Sequence, residues 1–168
     1  MNFLLTELGY FGPLIMIIVI IIISKSCEYK IILLFVVINE LLNRLLKYII
    51  NQPRPEGCEY INTWDSHPPD SCGMPSGHAQ QAAAAAVYII LYTKNPIMAV
   101  CAIAQTTLTM YQRYNYKKHT TLQIIIGASI GVIMGILFYN ISPYIEKIFN
   151  LRSKTPYINS TILLQSVV

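Results

Sequence analysis

Charge is what this sequence has least of. Charged residues make up 12% of its 168 residues, about half the roughly 25% usual in soluble globular chains. Twelve Lys and Arg stand against eight Asp and Glu, with a net charge of +4 and no basic stripe. Nucleic acid would therefore find no electrostatic footprint. No CxxC or Cys/His spacing suggests a metal site, so neither a metal nor another cofactor is expected. An early positive charge is also missing from the N-terminus, and no small-residue cleavage site follows its apolar core. That segment reads as a retained span rather than a cleaved leader. The length suits one domain, drawn over residues 1–145, with 146–168 as a short tail.

What is present is apolar and blocked into runs. Hydrophobic residues make up 54% of the chain. The runs cover 9–24, 31–50, 76–92, 97–111 and 119–139, each near the ~20 residues that cross a bilayer core. The fold expected is an all-α polytopic transmembrane helical bundle of about five spans, or four if the first lies in the interface. Between the second and third runs lies a polar segment, 51–75, with five prolines and no helical period, which reads as loop. Lys94-Asn95-Pro96 reads as a tight turn with an Asn cap and a proline at the first helical position. Gly127, Gly131 and Gly135 repeat every four residues, a spacing that lets helix backbones approach in lipid and predicts a central fifth helix.

Alternating spans put the 51–75 loop and the 113–118 hairpin on one face. Lys25, Lys30, Lys94, Lys147, Arg152 and Lys154 fall on the other, which the positive-inside rule assigns to the cytoplasm together with the C-terminal tail. The two-loop face then looks into a lumen or outside the cell. There Cys58 and Cys72 share one loop. A disulfide between them would close a ring of about fifteen residues and contribute ~3 kcal/mol; two free thiols are the alternative. The sequons at Asn140 and Asn159 fall on the cytoplasmic side and should stay unmodified.

Three clusters carry chemistry, all on the two-loop face. Lys47 is followed after six residues by Arg54-Pro55. Pro75-Ser76-Gly77-His78 opens the third run. Arg113 is followed after five residues by His119. Lys47 ends the second helix, where its stem can snorkel. Arg54 is held between two prolines, and Arg113 adds a second planar fork for oxygen atoms. Three such cations suit a phosphoryl group. Ser76 is a natural cap, Gly77 lets backbone approach a ligand, and free N–H groups at a helix start bind anions. His78 and His119 sit at such starts, where the helix dipole lowers an imidazole pKa. A neutral imidazole can attack phosphorus and a protonated one can donate to a leaving oxygen. Singly, the basic residues could be interface anchors and His78 a packing histidine; it is the ordered set that points to phosphoryl transfer.

The triple pattern KxxxxxxRP, PSGH and RxxxxxH resembles the type-2 phosphatidic acid phosphatase superfamily over Lys47 to Gln123. The resemblance implies a membrane lipid phosphatase with His119 as the nucleophile and His78 as acid to the leaving group. Lys47, Arg54, Ser76, Gly77 and Arg113 would hold phosphate, with no metal. Gln112 replaces a usual serine, and Gln123 replaces the usual aspartate four residues after His119. The carbonyl of Gln123 can still accept the ring N–H but supplies no charge. QPRP, GMPSGHAQ and KHTTLQ are similar to the dolichyldiphosphatases, which implies a polyprenyl diphosphate or related lipid substrate at the lumenal face of the endoplasmic reticulum. A lipid phosphotransferase and a catalytically weak scaffold of the same fold are the competing readings. The partners expected are the bilayer and a lipid substrate, with no nucleic acid and no oligomeric state assigned. Gln80 and Gln81 could line the headgroup cavity or bridge helices. Glu40 and Arg44 could be an intramembrane ion pair or serve the headgroup.

Overall fold

The computed structural model describes residues 3–24, 29–58, 60, 65 and 71–148. They form five helices: α1 (Phe3–Ile23), α2 (Tyr29–Ile50), α3 (Gly77–Thr93), α4 (Pro96–Asn115) and α5 (Thr121–Ile148). The shortest, α3, has 17 residues, about 26 Å of rise. Leu5–Ile23 and Thr121–Ile148 are by themselves long and apolar enough to cross a membrane. The other three helices carry polar residues on the faces they turn to one another.

The surface is inverted relative to that of a soluble protein. Leu33, Leu34, Val37, Leu41 and Leu45 of α2 and Ile97, Val100 and Ile103 of α4 are exposed, while Asn39, Asn43, Gln80, Thr109, Gln112 and Gln123 are buried. Lipid tails favour the first set, and the buried polar groups then need partners inside. Asn39 Nδ2 donates to Gln81 Oε1 at 2.8 Å, Asn43 Nδ2 to Gln80 Oε1 at 2.8 Å, and Gln80 Nε2 to Asn39 Oδ1 at 2.8 Å. Gln80 and Gln81 thus bridge α3 to α2. Gln105 Nε2 and Gln112 Nε2 donate to the carbonyls of Leu8 and Thr6 and tie α4 to α1.

The centre of the bundle is α3, not α5: it packs against each of the other four helices. The glycine stripe of α5 is nevertheless the closest seam. A Cβ on Gly127 would lie 2.5 Å from the Ser76 carbonyl oxygen and one on Gly135 2.7 Å from that of Ala84, with Gly131 set against the Gln80 carbonyl. Small residues on α3, Ala82 to Ala86, are buried as well. The α3–α4 turn forms as expected: Lys94 adopts φ 50° and Asn95 Oδ1 accepts from the backbone N–H groups of Ile97 and Met98. The helix α5 runs through Pro143 to Ile148 and so crosses the boundary drawn at 145. Asn140 lies within it, its side chain donating to the Ile136 carbonyl. Lys25, Asn159 and the tail beyond 148 lie outside the described residues.

Candidate active site

One end of the bundle gathers the three motif clusters. Two helix starts are joined there, because Ser76 N donates to the Gln123 carbonyl at 3.1 Å. Ser76 precedes the first turn of α3 in extended conformation, but its hydroxyl makes no capping bond. That oxygen is fully buried and has no hydrogen-bond partner among the described residues. Gly77 sits against the side chain of Asn43, 3.0 Å from where its Cβ would be. His119 does not open α5; it stands just before it, and Thr120 caps the helix. Thr120 Oγ1 accepts from Gln123 N at 3.2 Å and Gln123 Oε1 accepts from Thr120 N at 3.2 Å. This is the reciprocal capping box of a T-x-x-Q sequence.

Gln123 does more than cap. Its Oε1 accepts from His119 Nδ1 at 3.3 Å, and its Nε2 donates to Gln52 Oε1 and the Pro53 carbonyl, each at 3.0 Å. A carboxylate could not make the last two bonds. One amide thus orients the imidazole and pins the loop that carries Arg54. Arg54 Nε donates to Ser71 Oγ at 2.9 Å and Nη1 to the Lys118 carbonyl at 2.9 Å, with His119 Nε2 at 3.4 Å. A donor at Nε2 and an acceptor at Nδ1 select the neutral Nδ1–H tautomer, with the Nε2 lone pair directed at the cationic side.

Burial pushes the His119 imidazole well below its ordinary pKa, and Arg54, Arg113 and Lys47 push it the same way; the bond to Gln123 opposes them weakly. Arg113 is 3% exposed. Its Nη2 lies 2.6 and 2.8 Å from the two ring nitrogens of His78, a position over the ring rather than in its plane. Among the described residues Arg113 Nε and Nη1 are buried without a hydrogen-bond partner. Buried guanidinium donors left open in this way are suited to two oxygens of an anion. Lys47 Nζ donates to the Cys72 carbonyl at 2.9 Å.

A cavity of about 390 Å³ is bounded by Lys47, Arg54, Gly77, His78, Arg113 and His119. Ser76 and Gln123 stand behind this wall. Tertiary structure adds residues that sequence reasoning missed. Asn43 lines the cavity, and Lys118 Nζ and Asp65 Oδ2, 2.6 Å apart and almost fully buried, close one side. Asn39 and Asn43, four apart in an apolar run, were a readable signal. Asp65 and Lys118 were not, being distant in sequence and ordinary alone. Cys58 and Cys72 are free thiols in this structure, and Cys72 Sγ donates to Asn51 Oδ1 at 3.1 Å. Gln112 faces α1 rather than the cavity.

A sequence model described as the PAP2 superfamily matches residues 28–147. Among curated proteins the chain is similar to lipid phosphate phosphatase gamma of Arabidopsis thaliana, 31% identical over 59% of this chain and 46% of that protein. It is also similar to the chloroplastic lipid phosphate phosphatase epsilon 1 of the same plant, 30% identical over 60% of this chain and 36% of that one. The chain therefore spans less than half the length of these relatives. Its fold is that of a transmembrane PAP2-type phosphatidylglycerolphosphate phosphatase from Bacillus subtilis, with a TM-score of 0.66, 21% identity, and 84% of this chain and 76% of that one covered. Aquifex aeolicus LpxE shares it at a TM-score of 0.63 and 23% identity, over 82% and 84%.

Proposed function

The chain belongs to the PAP2 superfamily, and from that premise we propose that it hydrolyses a phosphate or diphosphate on a long membrane lipid, with a polyprenyl diphosphate as the preferred class. The observation that carries the reading is the convergence on one cavity of the His119 Nε2 lone pair, His78 and three cations. Lys47, Arg54, Arg113 and the backbone at Ser76-Gly77 would hold the phosphoryl oxygens. His119 Nε2 would attack phosphorus, forming an N–P bond as the bond from phosphorus to the lipid-bearing oxygen breaks. His78 would give that oxygen a proton, and water would then cleave the phosphohistidine. Gln123 serves as a positioning residue for His119.

The same reading needs no metal. The charge that an ion would supply comes from the three fixed cations. The positive-inside pattern supports a site facing away from the cytoplasm, and the likeness of QPRP, GMPSGHAQ and KHTTLQ to the dolichyldiphosphatases supports the endoplasmic reticulum lumen as that compartment. The test is phosphate release by purified protein in detergent with EDTA present, from polyprenyl diphosphate and phosphatidate side by side. Release from the diphosphate is expected, with losses of at least about a hundredfold in His119→Ala and His78→Ala. Inhibition by EDTA, or unchanged turnover in His119→Ala, contradicts the proposal.

A further inference from the structure

Beyond the motif residues, the cavity wall includes Glu40 and Arg44 of α2. Glu40, Arg44 and Lys47 make a charged column along one helix face. It covers seven residues of rise, roughly 10 Å, more than a single phosphoryl group fills. Lys47 stands at the end where the phosphoryl cations converge. Arg44 and Glu40 lie successively deeper toward the bilayer. An arginine at such depth carries a high desolvation cost unless it serves a polar partner.

Arg44 has one partner in place. Its Nε donates to Glu40 Oε1 at 2.8 Å, and among the described residues its Nη groups make no hydrogen bond. The pair is not packed away, because the Arg44 side chain is 73% exposed. A pair this open adds little to stability. What it does is hold by its Nε a guanidinium that bounds the cavity, leaving Nη groups that can take two oxygens at once.

We propose that Arg44 binds a second phosphate of the substrate, the one that stays on the lipid, and thereby selects a diphosphate headgroup. The proposal rests on the phosphatase reading above. The terminal phosphorus forms its bond to His119 Nε2 while the bond to the bridging oxygen breaks. The electron pair goes to that oxygen, which leaves on the lipid monophosphate and takes the proton of His78. Charge thus grows on the departing phosphate, on the membrane side where the chain must run. Arg44 stands on that side, and Glu40 aims it.

The experiment compares farnesyl diphosphate with farnesyl monophosphate, which share a chain and differ by one phosphate. Arg44→Gln should lower kcat/KM for the diphosphate about tenfold more than for the monophosphate. Arg44→Lys, which keeps the charge but not the fork, should fall between. A parallel binding readout is the thermal shift given by methylenediphosphonate and by methylphosphonate. The native protein should be stabilised more by the diphosphonate, and Arg44→Gln should lose that difference. Equal falls on both substrates, or an unchanged diphosphonate preference, would overturn the assignment of Arg44. A native protein that releases phosphate from neither substrate yet keeps an Arg44-dependent diphosphonate preference would sink the phosphatase reading and leave the subsite standing.

Discussion

His119 is set by its surroundings to be a neutral base. Burial and three neighbouring cations disfavour its imidazolium, and Gln123 fixes which nitrogen carries the proton. The sign of the pH effect follows. In the unfolded chain the ring gains a proton as pH falls through about 6.5, whereas in the folded protein it stays neutral to a lower pH. Its contribution to stability is therefore level above that pH and declines below it, because the unfolded state binds more protons. With three histidines in the chain, nitrogen NMR of histidine-labelled protein in micelles can resolve each. The His119 ring should remain neutral through pH 6.5, and a midpoint at the ordinary value would refute this account. At this scale the sequence was readable where a role is local. Gln123 lies four residues, one helical turn, after His119, and the amide's reach to the imidazole follows from that spacing. Its second pair of bonds, to Gln52 and Pro53, joins segments about seventy positions apart, and no local pattern announces it.

The helices were legible as elements because bilayer thickness sets their length and apolar blocks mark them. Their packing order was only half legible. The four-residue glycine repeat identified the face of α5 that packs, but not that α3 is the helix every other one touches. Two opposing effects make the seam testable. Replacing a helical glycine by alanine in an open position gains about 1 kcal/mol of helix propensity. At Gly131 the new Cβ would meet the Gln80 backbone, and overpacking of that kind costs roughly 1–3 kcal/mol. Gly131→Ala should therefore lower the thermal midpoint in detergent, and Gly127→Ala, set against the Ser76 backbone, should do the same. A raised midpoint in both would show that the seam is looser than described.

Across the whole molecule, the motif residues share one end of the bundle because an even number of spans separates their loops. Under the proposed function that end faces away from the cytoplasm, a reading supported by the lysine and arginine distribution. Glu56 and Lys147 are exposed at opposite ends. In sealed microsomes, on a background with the native cysteines changed to serine, an impermeant maleimide should label Lys147→Cys directly. It should label Glu56→Cys only after the membrane is opened. The reverse pattern would invert the orientation and move the site to the cytoplasm.

Composition and periodicity alone determined that the chain is a helical membrane bundle, and the three motif spacings alone marked the cations and histidines. Those are properties of neighbouring residues in a solvent of known thickness, so they can be read along a line. The burial of Lys118 against Asp65, the thiol of Cys72 turned to Asn51, and the reach of the cavity down α2 to Arg44 and Glu40 were decided only by tertiary structure. Each depends on the distance between segments remote in the chain, which is set when α3 packs against its four neighbours.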